Sequence, residues 1–391
     1  MNNYNVKAIS YYMIGLICHK HPRKIGKPSN SPGLEHDAIV YEEQLLLHGF
    51  TVVYIKPWTE TKEEITTCQK LIDDCSVLIG FEELGSNEVI SCIKQSTTPK
   101  TIFLIPNLEA TINIEDCPKG KWAPTLKNLY LVDHIISKNI SKVFDELVVK
   151  MYSTYKITSI PNIIHIPHCS PPLVSIEDKV ERNSILIFNG SSPYKNCYNQ
   201  LKASLKLLKI YPRLKKVVVV IINRTSHSSL DDINRIKNLA YDNSNKVQLI
   251  VSGYMSDIDK SKLYKEALLC LCASNCEGFG HYIQDSISSG CLTVTTDGFP
   301  MNDLKGLSIG TTTECKGSTK GLIGFAFAFV DTTINFGLFY AVTPEAIMDA
   351  CNSLEINSYD ETVEKRIKEL YQKRCELFKI SFENEMIKLV N

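Results

Sequence analysis

Residues 271–300 read LCASNCEGFGHYIQDSISSGCLTVTTDGFP, and their punctuation decides the fold. The apolar run Leu268 to Cys272 reads as a strand that enters a turn carrying an acid, Glu277, followed by Gly278-Phe279-Gly280. A helical stretch comes next, with Ile283, Ile287 and Ser288 on one face and a second acid at Asp285. Gly290 stops it, and Leu292 to Thr295 forms another apolar strand. Strand, glycine turn, helix, glycine stop and strand make an anion site at a helix N-terminus. Glycines let the backbone approach a ligand closely, and the first free N–H groups of the helix point at it. An anion would repel the carboxylate of Glu277. The partner expected for that acid is therefore the hydroxyl-rich part of a ligand that also carries phosphate.

One strand unit earlier, residues 185–195 read ILIFNGSSPYK. A strand runs into a glycine turn at Gly190, and Lys195 stands five residues beyond it, ahead of a helix. Ser191 and Ser192 can offer hydroxyl and backbone donors to a phosphate. Alone, this stretch is equally an ordinary βα loop with a solvated lysine; Glu277 could cap a helix N-terminus, but the flanking glycines and the spacing to Asp285 favour the site role. Together, the two segments favour a site.

Short apolar runs alternate with helical patterns along most of the chain, which predicts an α/β protein with parallel sheets. Strands are expected at Ile9 to Cys18, Thr51 to Ile55, Ser76 to Phe81, Thr101 to Ile105, Leu131 to Ser137 and Ile163 to Ile166, with helices from Gly33 to His48 and Lys142 to Met151. Pro167, Pro171 and Pro172 then stiffen the chain, placing a domain boundary between 170 and 182. The pattern restarts with strands at Ser184 to Phe188, Lys216 to Ile222 and Lys246 to Val251, and helices at Tyr198 to Leu208 and Lys260 to Leu268. Glu361 to Leu389 reads as a long amphipathic helix. The expected division is 1–175, 176–365 and a closing helix at 366–391.

A chain of 391 residues is ample for two cores. Lys+Arg and Asp+Glu both number 43, so charge points to no nucleic-acid partner. Fourteen cysteines are scattered singly without CxxC spacing, the pattern of buried reduced thiols in a cytoplasmic protein. His19 and His21 flank Cys18 without a second cluster to complete a metal site. No signal peptide and no membrane-spanning stretch is expected, while peripheral contact with a membrane surface stays open.

The two segments resemble the donor site of the two-domain retaining glycosyltransferases of family 4. These carry S-x-x-E-G-F-G with a second acid, then a glycine-stopped helix and a proline. Ser274, Glu277, Gly278, Phe279, Gly280, Gly290, Val294 and Pro300 fall in register, with Asp285 where the family has Glu. Lys195 matches the family's phosphate lysine, and Ser191 stands in place of its arginine. Pro300-Met301-Asn302-Asp303 resembles the family's P-M-N-E tail, or equally a proline turn with a helix cap. The resemblance implies two Rossmann-like doubly wound domains facing a cleft, of the GT-B type, with the last helix returning to the first domain.

It implies, too, transfer of a sugar from a nucleotide diphosphate donor to a glycan or other hydroxyl acceptor, with retention. Glu277 would hold hydroxyls of the sugar, Lys195 and the N–H groups of Phe279 and Gly280 the phosphates, and Asp285 the ribose. The base would lie on backbone near Gly253-Tyr254-Met255. No cofactor and no metal are implied, since no D-x-D pair stands at a strand end; Asp231-Asp232 reads as a polar loop and Asp73-Asp74 as part of a helix.

On the acceptor side, Gly33 belongs to a stretch similar to the family's G-G-x-E loop. The fourth strand ends at Asn107 and Glu109 without the family's histidine, so these two become acceptor-side candidates. Val132-Asp133 and Lys138 fit the following strand, and His134, His165 and His168 read as packed or linker residues. The alternative function is a catalytically inactive nucleotide-sugar-binding protein of the same fold. A phosphorylase or epimerase of this architecture is weaker, since no lysine for pyridoxal phosphate is evident.

Overall fold

The computed structural model describes residues 12–18, 32–106, 111–113, 123–176, 180–190, 195–222, 230–275, 277–303, 312–315, 333–335 and 342–390. Asn107, Glu109, Ser191, Ser192, His19 and His21 lie outside them.

The first half holds strands β1 (Met13–Ile17), β2 (Thr51–Ile55), β3 (Val77–Glu82), β4 (Thr101–Pro106), β5 (Thr111–Asn113), β6 (His134–Ser137) and β7 (Asn162–His165). Helices α1 (Pro32–Leu47), α2 (Lys62–Asp74), α3 (Asn87–Gln95), α4 (Ala123–Lys127) and α5 (Val143–Thr154) connect them. Six strands form one sheet in the order β2-β1-β3-β4-β6-β7, every pair parallel. Burial on both faces is what parallel strands require, and β3 and β4 are apolar and buried along most of their length.

The second half repeats the design. Its strands are β8 (Ser184–Gly190), β9 (Lys216–Ile222), β10 (Val247–Ser252), β11 (Ala267–Cys272), β12 (Leu292–Thr296), β13 (Thr312–Cys315) and β14 (Thr333–Asn335). Its helices are α6 (Cys197–Ile210), α7 (Leu230–Asp242), α8 (Asp257–Glu266), α9 (His281–Ser288), α10 (Pro344–Cys351), α11 (Glu361–Ser381) and α12 (Lys388–Val390). A second parallel sheet runs β10-β9-β8-β11-β12-β13. The β-branched run of β9, KVVVVII, and the wholly buried β11, ALLCLC, supply its centre. β5 and β14 pair antiparallel, joining the halves.

Two glycines frame α9. Gly280 caps its N-terminus at φ 85°, and a Cβ there would meet Ile283 Cδ1 at 2.8 Å. Gly290 lies beyond its C-terminus at φ 79°, where a Cβ would meet Glu364 Cγ of α11 at 2.6 Å. Left-handed backbone and close approach both exclude a side chain.

Helix α11 buries Val363, Ile367, Leu370, Tyr371, Arg374 and Phe378, a stripe at helical spacing. A six-residue π turn, Phe382–Ile387, follows before α12. The ring of Phe382 meets Tyr41 of α1 at 5.3 Å, so the chain end rests on the first half.

Several elements differ from the sequence expectation. Asp231 and Asp232 occupy the first turn of α7 rather than a loop, where carboxylates suit the helix dipole. Leu129–Leu131 forms a 3-10 turn, and the strand expected from Leu131 begins only at His134. Helix α8 ends at Glu266, so Ala267 and Leu268 belong to β11. The terminal helix is interrupted by the π turn instead of running unbroken.

Candidate functional site

Strands β8 and β11 are neighbours at the centre of the second sheet, and the chain order reverses between them. Connections from the two strands leave on opposite sides of the sheet, opening a crevice at their C-terminal ends. Lys195 follows β8 and Glu277 follows β11, so the topology alone brings them together. Lys195 Nζ lies 2.5 and 2.6 Å from the two oxygens of Glu277. Only 2% of the Glu277 side chain is exposed, against 16% for Lys195.

The surroundings fix this pair. Ser274 Oγ donates to Glu277 Oε1 at 2.5 Å, and the Tyr282 hydroxyl lies beside Ser274 Oγ and donates to the Cys272 carbonyl at 3.0 Å. Lys195 Nζ stands 4.2 Å from the centre of the Tyr282 ring, a cation–π contact. Burial pushes the Tyr282 hydroxyl well above its ordinary range, so it is a neutral donor. Asn196 ties the two loops together, its amide donating to Ala273 O at 3.1 Å. Cation, carboxylate and helix N-terminus thus converge at one strand-end crevice.

Gly278, Phe279 and Gly280 form the turn between Glu277 and α9, and Phe279 is buried. Asp285 is buried on α9, where Lys260 of α8 pairs with it; Lys260 Nζ also lies 5.9 Å over the Phe188 ring of β8. Gly190 closes β8. Tyr254 stands beyond β10 with its ring exposed and its N–H donating to Ser252 Oγ. Gly33 is the second residue of α1.

Across from the turn, the first half contributes a second polar cluster. Asp37 of α1 is fully buried; its Oδ2 accepts from Lys138 Nζ at 2.8 Å. Its Oδ1 lies 3.0 Å from His168 Nε2 and 3.3 Å from His281 Nε2. Burial acts to raise the Asp37 carboxyl, but Lys138, His168 and His281 outweigh it and hold it well below its usual range. Burial lowers both His168 and His281, against the opposing pull of the Asp37 carboxylate. The cluster surrounds the donor turn: His168 meets Phe279 edge-on at 4.8 Å, and Lys138 Nζ lies 5.3 Å over the same ring.

Other bonds lock the halves. Gln284 of α9 accepts from Ser170 N at 2.6 Å and donates to His168 O at 2.9 Å. Asp303, after β12, accepts from Ile140 N at 2.8 Å and Ser141 N at 3.0 Å. Arg374 of α11 donates to His168 O and Lys138 O, both at 3.1 Å, with Asp303 3.7 Å away.

Lys195, Glu277 and the glycine turn are therefore brought together, while Asp285 pairs with Lys260 and Tyr254 lies beyond β10. His168, expected to be a packed or linker residue, is buried within an ionic cluster at the domain junction. Asp37, His281 and Lys260 were not singled out by sequence. Their partners lie far away in the chain, so no local spacing marks them.

Residues 174–304 match the family model for group 1 glycosyl transferases. The group 1 segment contains Lys195, Glu277 and Asp285 and covers about a third of the chain. No curated protein sequence matches the chain. Among solved structures, the sucrose-phosphate synthase of Thermosynechococcus elongatus is similar with TM-score 0.62 at 12% identity, covering 97% of this chain and 99% of that one. The E. coli structure described as trehalose-6-phosphate bound with UDP-2-fluoro glucose gives TM-score 0.61 at 7% identity, over 97% and 99%. The pneumococcal O-GlcNAc transferase GtfA, in complex with UDP and GlcNAc, gives 0.55 at 16% identity, covering 80% of this chain but only 56% of that one. The chain thus spans little more than half the length of that transferase. At these identities the likeness is one of fold: two Rossmann-like domains in the GT-B arrangement carry a group 1 glycosyltransferase segment.

Proposed function

We propose that the protein transfers a sugar from a nucleoside diphosphate donor to a hydroxyl acceptor, retaining the anomeric configuration. The observation that carries this reading is the Lys195–Glu277 pair at the reversal point of the second sheet, beside the glycine turn that opens α9. The group 1 match over the same segment supports it. Residues 176–365 serve as the donor domain, 1–175 as the acceptor side, and 366–391 as the helix that returns to it.

In this reading Lys195 and the N–H groups of Phe279 and Gly280 hold the donor diphosphate, with Gly190, Ser191, Ser192 and Gly278 lining its path. Glu277 accepts hydrogen bonds from sugar hydroxyls, Asp285 binds the ribose, and backbone near Tyr254 receives the base. Gly33, Asn107 and Glu109 are the acceptor-side candidates. The bond from the anomeric carbon to the phosphate oxygen breaks heterolytically, and the acceptor oxygen bonds to that carbon on the same face. The acceptor proton passes to the departing phosphate oxygen. Negative charge grows on the leaving diphosphate, so preorganised N–H groups and a fixed ammonium stabilise the transition state more than the ground state. The reading requires no cofactor and no catalytic magnesium or manganese.

The test is a panel of uridine, guanosine and adenosine diphosphate sugars with no magnesium or manganese added, following nucleoside diphosphate release and product anomer. A retained product from one donor class is expected. Turnover that requires either ion, or an inverted product, overturns the mechanism. Donor binding without hydrolysis or transfer assigns the chain instead as an inactive nucleotide-sugar-binding protein.

A further inference from the structure

We propose that Asp37, His168 and His281 form a binding site for one divalent transition ion, zinc being the first choice, which clasps helix α1 of the first domain to helix α9 of the second. Among the described residues these three side chains bring one ligand atom each to within 4.8 Å of one another. Two imidazoles and a carboxylate are the donor set that zinc and its neighbours in the first transition row accept.

The convergence of three ligand atoms from three separate segments is what points to an ion. Asp37 Oδ1 and His168 Nε2 face each other at 3.0 Å, both buried where the two domains meet. An ion between them would engage the lone pairs of both. His281 Nε2 completes the set at 3.3 Å from the same carboxylate oxygen.

The outer partners have the arrangement that orients metal ligands. Ser170 Oγ lies 2.8 Å from His281 Nδ1, which leaves Nε2 directed to the cluster. Lys138 holds Asp37 Oδ2, which leaves Oδ1 toward the histidines. Such contacts fix the tautomer and the carboxylate rotamer of a ligand. His281 is 24% exposed while His168 and Asp37 are buried, so one side remains open to a water or anionic ligand. The inference does not rest on sugar transfer, and its readouts are metal content and spectrum rather than turnover.

The full chain is dialysed against chelator, then titrated with Co2+ and with Zn2+, with metal counted after dialysis. We expect one ion per chain, visible d–d absorption with Co2+ that Zn2+ displaces, and a higher melting temperature in Zn2+. His281→Gln should weaken Zn2+ binding at least tenfold while melting like the stripped parent. Ser170→Ala, which keeps all three ligands, should weaken it about 10–100-fold. A dialysed parent without stoichiometric metal overturns the site, as does equal binding by His281→Gln.

Discussion

Lys195 and Glu277 hold each other through both carboxylate oxygens, so replacing either one alters the electrostatics of its partner. Lys195→Ala leaves a nearly buried carboxylate with the Ser274 hydroxyl but without its cation. Removing one member of a buried pair costs about 3–5 kcal/mol, and partial exposure of Lys195 puts this case near the low end. The variant should melt earlier and bind nucleoside diphosphate more weakly by about 2 kcal/mol, the worth of a charge-assisted hydrogen bond. Glu277→Gln keeps the shape and can still accept from Ser274. Its nucleoside diphosphate affinity should stay within about threefold, while turnover falls about 100-fold, a typical loss for one transition-state contact. Calorimetric binding and initial rates separate the two. Variants that both melt earlier but bind and turn over normally would make the pair structural.

Among elements, the contact between α9 and α11 carries the most readable chemistry. Glu364 packs against Gly290 and accepts from Lys368, from Arg182 at 3.2 Å and from Tyr359 at 3.2 Å. Burial acts to raise its carboxyl, but Lys368 and Arg182 outweigh that and hold it below the ordinary 4.5. A depressed folded value means the charge stabilises fully above pH 4.5 and that this contribution fades as pH falls through the folded value. Glu364→Gln should therefore lower the melting temperature at pH 7, by an amount corresponding to about 1 kcal/mol, and the gap from the parent should narrow progressively as pH falls below 4.5. A gap unchanged from pH 7 to pH 3 would contradict the charge account.

The same element shows what a sequence can reveal. Gly278-Phe279-Gly280 and Gly290 are local signals, because a turn or a helix stop is written in the residues that make it. The β-branched run Lys216–Ile222 likewise names its own strand. Asp231-Asp232 misled because two adjacent acids suit a loop and a first helical turn equally well. The π turn at Phe382 has no compositional mark, since its residues continue the helical pattern and only packing on Tyr41 distinguishes it. Asp37, His168 and His281 escaped detection for a third reason: their grouping is a property of how two domains meet.

At the scale of the whole molecule, that meeting is held by polar contacts that several elements share. Asp303, a residue of the second half, supplies both oxygens to the free N–H groups of Ile140 and Ser141 that open the α5 region. Arg374, almost fully buried, is its nearby cation and also donates to carbonyls at Lys138 and His168. The carboxylate thus serves two domains and the closing helix at once. Asp303→Ala leaves two N–H groups unpaired and a guanidinium without its counter-charge. The exposed Ile140 N–H can turn to water, whereas the part-buried Ser141 N–H costs up to about 1–3 kcal/mol and the stranded charge adds to it. Differential scanning calorimetry should show one transition for the parent, because α11 and the Asp303 contacts couple the two sheets. For Asp303→Ala we expect a first transition at lower temperature, separated from a second that is little changed, as the halves unfold independently. Nucleoside diphosphate should still raise one of the two transitions, the one belonging to the domain with Lys195 and Glu277, because a ligand stabilises only the unit that binds it. A variant that melts in one step at the parental temperature would show that the Asp303 contacts do not couple the domains.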